Sequence, residues 1–383
     1  MSERYSGANR GICEMAMTRS EFRSIVIFGG AGFIGSNWTE RLLKTTDAKV
    51  HVFDNLSRQG ARHNLEYLQK VAGRSGRLQI TIGDVRDADM VGRVVRYATE
   101  IYNFAAQVAV TTSLVDPKLD FEVNLGGTFN ILEAARRHGQ NPFVLFTSTN
   151  KVYGNSGDGE VRVDGNRYVA LARNGTNESQ PLDFHSPYGC SKGGADQYVR
   201  DYARIYGLCS VVFRMSCIAG PRQFGSEDQG WVAHFLYSAL EGKPLTIYGD
   251  GRQVRDVLYV EDLLAAFEAA YVNRKTTAGQ IYNIGGGHEN TISLLELMDL
   301  VEDLTGVRAS YDFGEKRAGD QLIYVTDHGK FSHDTGWQPK VNLDGILKGI
   351  YKWYRGNREL LAPSRAEALK EMAELLTPLR RTA

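Results

Sequence analysis

The stretch Ser24-Ile-Val-Ile-Phe28-Gly29-Gly-Ala-Gly32-Phe33-Ile34-Gly35-Ser36-Asn-Trp-Thr-Glu-Arg-Leu-Leu43 decides the fold. A short β-branched run ends in glycine, as a buried parallel strand does, and the residues after Gly35 take up helical spacing. Glycines at 29, 32 and 35 allow a tight turn with close backbone approach, and the helix start that follows suits a pyrophosphate. Strand, Gly-x-x-Gly-x-x-Gly and helix in that order make a dinucleotide fingerprint in its wider-spaced form. The next strand, Lys49-Val-His-Val-Phe53, ends at Asp54. A carboxylate about twenty residues on from the glycines binds adenosine ribose hydroxyls and repels a 2′-phosphate. NAD is therefore favoured over NADP, although Arg58 stands close enough to keep NADP open.

Outward from this unit, strand-like and helix-like segments alternate. Leu78–Ile82 precedes Gly83-Asp84, Glu100–Phe104 precedes Ala105-Ala-Gln107, Phe143–Phe146 precedes Thr147-Ser148-Thr149, and Ser210–Phe213 precedes Arg214. Helices are expected at Gly127–Arg137 and Pro187–Tyr206. The repetition predicts an α/β fold with a doubly wound parallel sheet of Rossmann type and a smaller mixed α/β lobe. In such a sheet ligands bind beyond the carboxyl ends of the strands, where all the polar residues just named fall.

We expect residues 22–213 and 254–274 in the nucleotide-binding domain, with Val254–Ala270 returning to its sheet. Residues 214–253 and 275–360 are expected in the substrate lobe. Residues 1–21 read as a disordered extension without a secretory apolar segment. In the tail, 361–383, Ala366, Leu369, Met372 and Leu376 share one helical face.

Lys+Arg and Asp+Glu balance at 45 each, which leaves no general electrostatic footprint for nucleic acid or an anionic membrane. An anionic ligand must then be held by local arginines. No apolar run is long enough to span a bilayer. The cysteines (Cys13, Cys190, Cys209, Cys217) form no Cys-x-x-Cys pattern and read as reduced cytosolic residues. The histidines show no metal-binding spacing, so no metal is expected.

Tyr188 and Lys192 lie four apart in His185-Ser-Pro-Tyr188-Gly-Cys-Ser-Lys192, which places both on one face of the helix that Ser186-Pro187 would start. A neighbouring ammonium favours the phenolate, so a phenol with an ordinary pKa near ~10 can exchange protons near neutrality. One lysine rarely suffices, and an oxidised nicotinamide would supply a second positive charge. Thr149, at a strand end, can share a substrate alcohol with Tyr188. Asn124 is either a helix-side polar residue or a buried support for the Lys192 neighbourhood, and Asp84-Val85 falls where an adenine edge could be read. His185 is either a solvated loop residue or a substrate contact. Tyr248 lies either against a nucleotide base or on an edge strand.

Gly-Gly-Ala-Gly-Phe-Ile-Gly, Asp54-Asn-Leu-Ser, Ala105-Ala-Gln, Asn124-Leu-Gly-Gly-Thr, Thr147-Ser-Thr, Val152-Tyr-Gly and Tyr188-x-x-x-Lys192 together resemble the extended short-chain dehydrogenases/reductases, and among them the nucleotide-sugar epimerases. The resemblance covers roughly residues 23–356. It implies Thr149, Tyr188 and Lys192 as the catalytic set. It implies Gly29, Gly32, Phe33, Ile34, Gly35, Asp54, Asn55, Ser57, Arg58, Asp84, Val85, Ala105, Ala106, Gln107, Asn124, Thr147, Met215 and, again, Tyr188 and Lys192 around NAD. For the substrate it implies Thr149, Asn150, Ser216, Arg222, Gln223, Tyr248, Asp320 and two diphosphate-binding arginines, Arg255 and Arg317.

Thr149-Asn150-Lys151-Val-Tyr-Gly, Pro181–Lys192 and Arg222-Gln-Phe…Asp228-Gln-Gly-Trp231 resemble the branch that inverts C2 of a CDP-linked sugar. Met215-Ser216-Cys217 and Ala219-Gly-Pro221 depart from it and leave the sugar open. Related 4,6-dehydratases carry an Asp-Glu pair after this Thr; Asn150-Lys151 disfavours dehydration. The resemblance thus implies an NAD-dependent isomerase acting through a transient keto-sugar. The implied setting is carbohydrate biosynthesis of the O-antigen kind, in the cytoplasm, as a homodimer or homotetramer. The alternatives are a 4-epimerase, a dehydrogenase or reductase of the same family, and a nucleotide sensor that keeps the fold without the chemistry.

Overall fold

The computed structural model of the protein describes residues 23–138, 140–154, 161–170, 175–317 and 319–361. The expected extension at 1–21 and the helical face at 366–376 lie outside the described residues. The first half runs β1 (Ser24–Phe28), α1 (Phe33–Thr45), β2 (Lys49–Asp54), α2 (Ala61–Ala72), β3 (Leu78–Ile82), α3 (Ala88–Val95) and β4 (Glu100–Asn103). The short α4 (Val110–Val115) and α5 (Pro117–Phe121) follow, and one π turn at Glu122–Gly126 leads into α6 (Gly127–Arg137). Next come β5 (Phe143–Thr149), the hairpin β6 (Val161–Asp164) and β7 (Arg167–Ala170), α7 (Pro187–Tyr206) and β8 (Ser210–Met215).

The second half contains β9 (Cys217–Ala219), α8 (Trp231–Leu240), β10 (Leu245–Tyr248), β11 (Val254–Tyr259), α9 (Val260–Val272), α10 (Arg274–Thr277) and β12 (Ile281–Ile284). It closes with β13 (Thr291–Ser293), α11 (Leu294–Thr305), β14 (Tyr311–Gly314), β15 (Ile323–Tyr324), α12 (Gly329–Thr335) and α13 (Leu343–Asn357). Seven strands form one parallel sheet in the order β12-β8-β5-β4-β1-β2-β3. The strand order reverses between β1 and β4, which opens the crevice that such sheets use for ligands.

The strands are apolar because both faces are covered. Ile25, Ile27, Leu145, Val211 and Phe213 pack with α1 and α9 through Trp38, Leu42, Leu263 and Phe267. Val26, Phe28, Val144, Phe146 and Val212 meet Val91, Ile131, Ala195 and Val199 from α3, α6 and α7 on the other face. Each fully buried side chain of this size contributes about 1.5–3 kcal/mol. The sheet face, rather than helix propensity, therefore fixes where the helices lie.

Two placements differ from the sequence reading. β11, expected in the main sheet, pairs instead with β9, β13 and β15 in a second, four-stranded sheet. Only α9 of that segment returns, and Arg41 of α1 holds Glu268 of α9 through two 2.8 Å bonds. Conversely β12, expected in the substrate lobe, is the edge strand of the main sheet beside β8. A short strand carries no local mark of its sheet; the crossover before it decides.

Candidate active site

α7 delivers the central pair. Ser186 caps it by accepting from the Gly189 amide at 3.0 Å, Pro187 opens the first turn, and Gly207 ends it at φ 69°. Tyr188, Ser191, Lys192, Ala195, Val199 and Tyr202 are all buried, at helical spacing, so one face of α7 is inside. Gly193 keeps the helix close to its neighbours, since a Cβ there would stand 2.3 Å from the Phe184 ring.

A cleft of about 1070 Å³ lies at the carboxyl ends of the main strands and extends to the second sheet. Every residue expected to touch cofactor or substrate lines it except Asn124. Gly29 has φ +74°, and a Cβ there would lie 2.8 Å from the Ala105 amide nitrogen. A Cβ on Gly35 would lie 2.2 Å from the Gly29 carbonyl oxygen, so neither position admits a side chain. Gly32 is the N-cap of α1 and puts no side chain over the helix end. The first amides of α1 thus face the cleft, a cradle that fits the pyrophosphate of a dinucleotide.

At the end of β2, Asp54 accepts from the Ala31 amide at 3.0 Å and the Leu56 amide at 2.8 Å. Burial raises its carboxyl above the usual range, and the amide bonds oppose this. The Asp84 carboxylate is gripped by Arg86 at 2.9 and 2.8 Å, which holds it down at about 2. Arg58, expected with the cofactor, reaches across the cleft to the Gln229 side chain. Burial lowers its pKa, against the pull of Asp228 and Tyr188.

In the middle of the cleft stand the Tyr188 phenol and Thr149, the last residue of β5. Burial pushes the phenol up to about 12; the Thr149 hydroxyl and Arg58 oppose this, and Asp120 adds to it. The expected lowering by Lys192 is therefore not what the chain alone provides. The Lys192 ammonium donates to the Thr147 carbonyl at 2.6 Å and sits 4.2 Å from the Phe146 ring centre, and burial pulls it down to about 7. Lowering the phenol needs a further positive charge inside the cleft, as the sequence argument required.

The substrate half is charged. Arg255 donates to Asp320 at 2.7 Å. Arg317 pairs with Glu227 at 3.1 Å and Asp228 at 3.6 Å, and lies 3.9 Å from the centre of the Tyr248 ring. Lys151 is 3.9 Å from Asp320. Asn150 is buried, with its Oδ1 3.3 Å from the Thr149 hydroxyl. The Ser216 hydroxyl is turned to Asp256 at 2.6 Å. Gln223 donates to the Ile218 carbonyl at 3.0 Å, while its Oε1 is buried without a protein partner. Arg222, expected with the substrate, lines the cleft, with its guanidinium bound by Asn37 and Glu40 of α1. His185 lies outside the cleft wall, 2.7 Å from Asp183.

Behind the wall lie Asn124, which the sequence reading named, and further groups that it missed. Asn124, on the π turn, is fully buried and clamps Gln107 by accepting from its amide at 2.9 Å and donating to its carbonyl at 3.0 Å. Asp120 is buried beside it. On the other side of α7, Asp196 receives Arg214 at 2.6 and 3.0 Å, and Arg214 also donates to the Tyr153 hydroxyl at 2.9 Å. Glu227 was also overlooked; its place within the quoted Arg222–Trp231 motif was the signal available. Among the described residues no group of three or more His, Cys, Asp or Glu side chains is placed to hold a metal, and no helix is long and apolar enough to cross a membrane.

A parallel doubly wound sheet, a glycine cradle before α1, and Thr, Tyr and Lys at one strand end define an extended short-chain dehydrogenase/reductase. The chain belongs to the family described as GDP-mannose 4,6 dehydratase, whose profile matches residues 26–350. It is 44% identical over 338 residues to the CDP-paratose 2-epimerase of Salmonella typhi, covering 86% of this chain and 98% of that one. It is 34% identical to the low-salt glycan biosynthesis protein Agl12 of Haloferax volcanii, covering 88% and 99%. Among solved structures, dTDP-glucose 4,6-dehydratase DesIV of Streptomyces venezuelae, with NAD bound, superposes with a TM-score of 0.76 at 32% identity, covering 89% of this chain and 99% of that one. UDP-glucuronic acid 4-epimerase of Bacillus cereus, in complex with UDP-glucuronic acid and NAD, gives 0.75 at 27%, covering 87% and 99%.

Proposed function

We propose that the protein is an NAD-dependent epimerase that inverts C2 of a CDP-linked sugar. The observation that carries this reading is the Thr149–Tyr188 pair, standing in one cleft between the glycine cradle and the two arginines. The choice of CDP and C2 is supported by the 44% identity to a CDP-paratose 2-epimerase along nearly the whole of that relative. The choice between isomerase and dehydratase is supported by Asn150 and Lys151, which place no acid directly after Thr149.

The chemistry that NAD supplies when bound is reversible hydride acceptance. Gly32 leaves the α1 amides open to the pyrophosphate, and Asp54 stands where the adenosine ribose would lie. Tyr188, as phenolate, takes the proton from the sugar hydroxyl and returns it at the end. Thr149 holds that oxygen by its hydroxyl, and Lys192 contributes positive charge from below. Arg255 and Arg317 grip the diphosphate, exchanging their present carboxylate partners for phosphate oxygens. Binding concentrated there leaves the sugar free to present its other face between the two half-reactions.

The glycan-biosynthesis relative supports a place in carbohydrate biosynthesis, and the proposal extends this to cytoplasmic synthesis of the O-antigen kind. A homodimer is supported by the exposed apolar side chains along α6 and α7: Phe129, Tyr198, Ile205 and Tyr206 are 42%, 45%, 65% and 54% exposed. A second copy of this chain would cover them. Incubation with CDP-, UDP-, GDP- and dTDP-linked deoxysugars is expected to invert a CDP-sugar at C2 with no net NADH formed. Stoichiometric NADH release, or inversion at C4, would overturn the reading.

A further inference from the structure

Phe224 is a large aromatic side chain in the cleft wall for which the reaction as written above has no use. It stands on the segment 221–230, which joins β9 of the second sheet to α8. Gly60, at the end of the loop after β2, has φ +79°, and a Cβ there would stand 2.0 Å from the Phe224 ring. The ring therefore fills the hollow that the missing side chain leaves. The His63 ring of α2 stacks with it, centres 5.9 Å apart and planes 23° from parallel. Trp353 of α13 meets it edge-on at 5.5 Å. One aromatic side chain thus joins the loop and helix after Asp54 to the helices of the second sheet.

The same segment is tied down on both sides of this ring. Asn37 of α1 donates to the Pro221 carbonyl at 3.0 Å, Asn64 of α2 to the Arg222 carbonyl at 3.5 Å, and Arg58 to the Gln229 side chain. Ser226 and Gln229 close a turn by exchanging amide–carbonyl bonds at 2.8 and 3.1 Å. Among the described residues only Leu56, Asn141 and Arg222 are non-glycine residues with positive φ. Leu56, at 57°, and Arg222, at 64°, stand on the two sides of this contact. Such backbone is strained for a bulky side chain and persists where neighbouring contacts over-determine it.

We propose that Phe224 is a positioning residue for the cofactor, the pin by which segment 221–230 holds the loop after Asp54 closed over bound NAD through both half-reactions. Asp54, Ser57 and Arg58, all expected around NAD, line the cleft at the head of the loop that ends in Gly60. The inference rests on the epimerase reading for its link to turnover, but cofactor retention itself does not. In that reading the sugar gives a hydride to the nicotinamide and a proton to Tyr188, and the same hydride returns to the other face. Loss of the cofactor between the two steps would take the hydride away as NADH and leave a keto-sugar behind. A dehydrogenase that exchanges its cofactor at every turnover would gain nothing from such a pin.

The test loads the purified full chain with NADH, chases it with excess NAD in the absence of any sugar, and measures the NADH still bound over time. Phe224→Ala is expected to release NADH about tenfold faster than wild type, because lost contacts appear mainly in dissociation rates. Phe224→Tyr, which keeps the ring, is expected to keep the wild-type rate. Should Phe224→Ala not fold, Phe224→Leu makes the same comparison with most of the volume retained, and a several-fold faster release is expected. A role confined to packing would lower the denaturation midpoint and leave the NADH rate unchanged; that result overturns the proposal whatever the substrate. Failure of the epimerase reading would appear separately, as a wild-type protein that inverts no nucleotide sugar.

Discussion

Tyr188→Phe is expected to lower kcat by about 10³-fold, the middle of the range for a positioned general acid–base group. Three decades correspond to about 4 kcal/mol of lost transition-state stabilisation. The ring stays in its buried site against the same neighbours, so fold and bound NAD should be unchanged. Only the phenol oxygen, which shares the cleft with Thr149, is lost. Lys192 is held at the Thr147 carbonyl and His185 lies outside the cleft wall. Steady-state kinetics with the NAD content and the denaturation midpoint of each preparation checks this. Retention of more than about a tenth of wild-type kcat would remove Tyr188 from the chemistry.

Arg214→Met is expected to destabilise the fold by about 3–5 kcal/mol, the cost of leaving a buried charge without its partner. Asp196 has no exposed surface and the Arg214 side chain is 3% exposed, so water cannot compensate either. The same guanidinium donates to Tyr153, which in turn donates to Asn283 of β12 at 2.7 Å. One side chain therefore ties α7, β8 and the edge of the sheet together under the active site. Urea unfolding with a fixed m-value reads the effect. Arg214→Met combined with Asp196→Leu should recover much of the loss, because an apolar pair of similar volume is often as stable as a buried ion pair. A single variant that unfolds within about 1 kcal/mol of wild type would mean that the pair is not compensating a buried charge.

Much of the site was legible because its signals are local. Gly29, Gly32, Gly35 and Asp54 announce themselves by spacing along one strand–turn–helix–strand unit, and the bounds of α7 follow from Ser186, Pro187 and Gly207. What was misread depends on contacts distant in the chain. β11 and β12 are short strands whose sheet is set by crossovers, and each was assigned to the other's sheet. Arg222 stands in a substrate-like motif and lines the cleft, but the partners of its guanidinium, Asn37 and Glu40 of α1, could not be read from that motif. Asp120 looks like an ordinary helix-side acid in Pro117-Lys-Leu-Asp-Phe121. Only the π turn and the arrival of Ser191 from α7 bury it. The phenol's pKa was expected to fall under Lys192, but burial dominates, and the lysine is turned to a backbone carbonyl.

The central claim is that one C–H bond is broken and remade on the opposite face of the sugar without exchange with water. It is tested most directly with a CDP-linked 2-epimerase substrate carrying deuterium at C2, incubated in ordinary water with the purified protein. The account predicts a product inverted at C2 with the deuterium still on that carbon. Inversion with loss of the label to solvent would contradict it, as would turnover that leaves C2 unchanged.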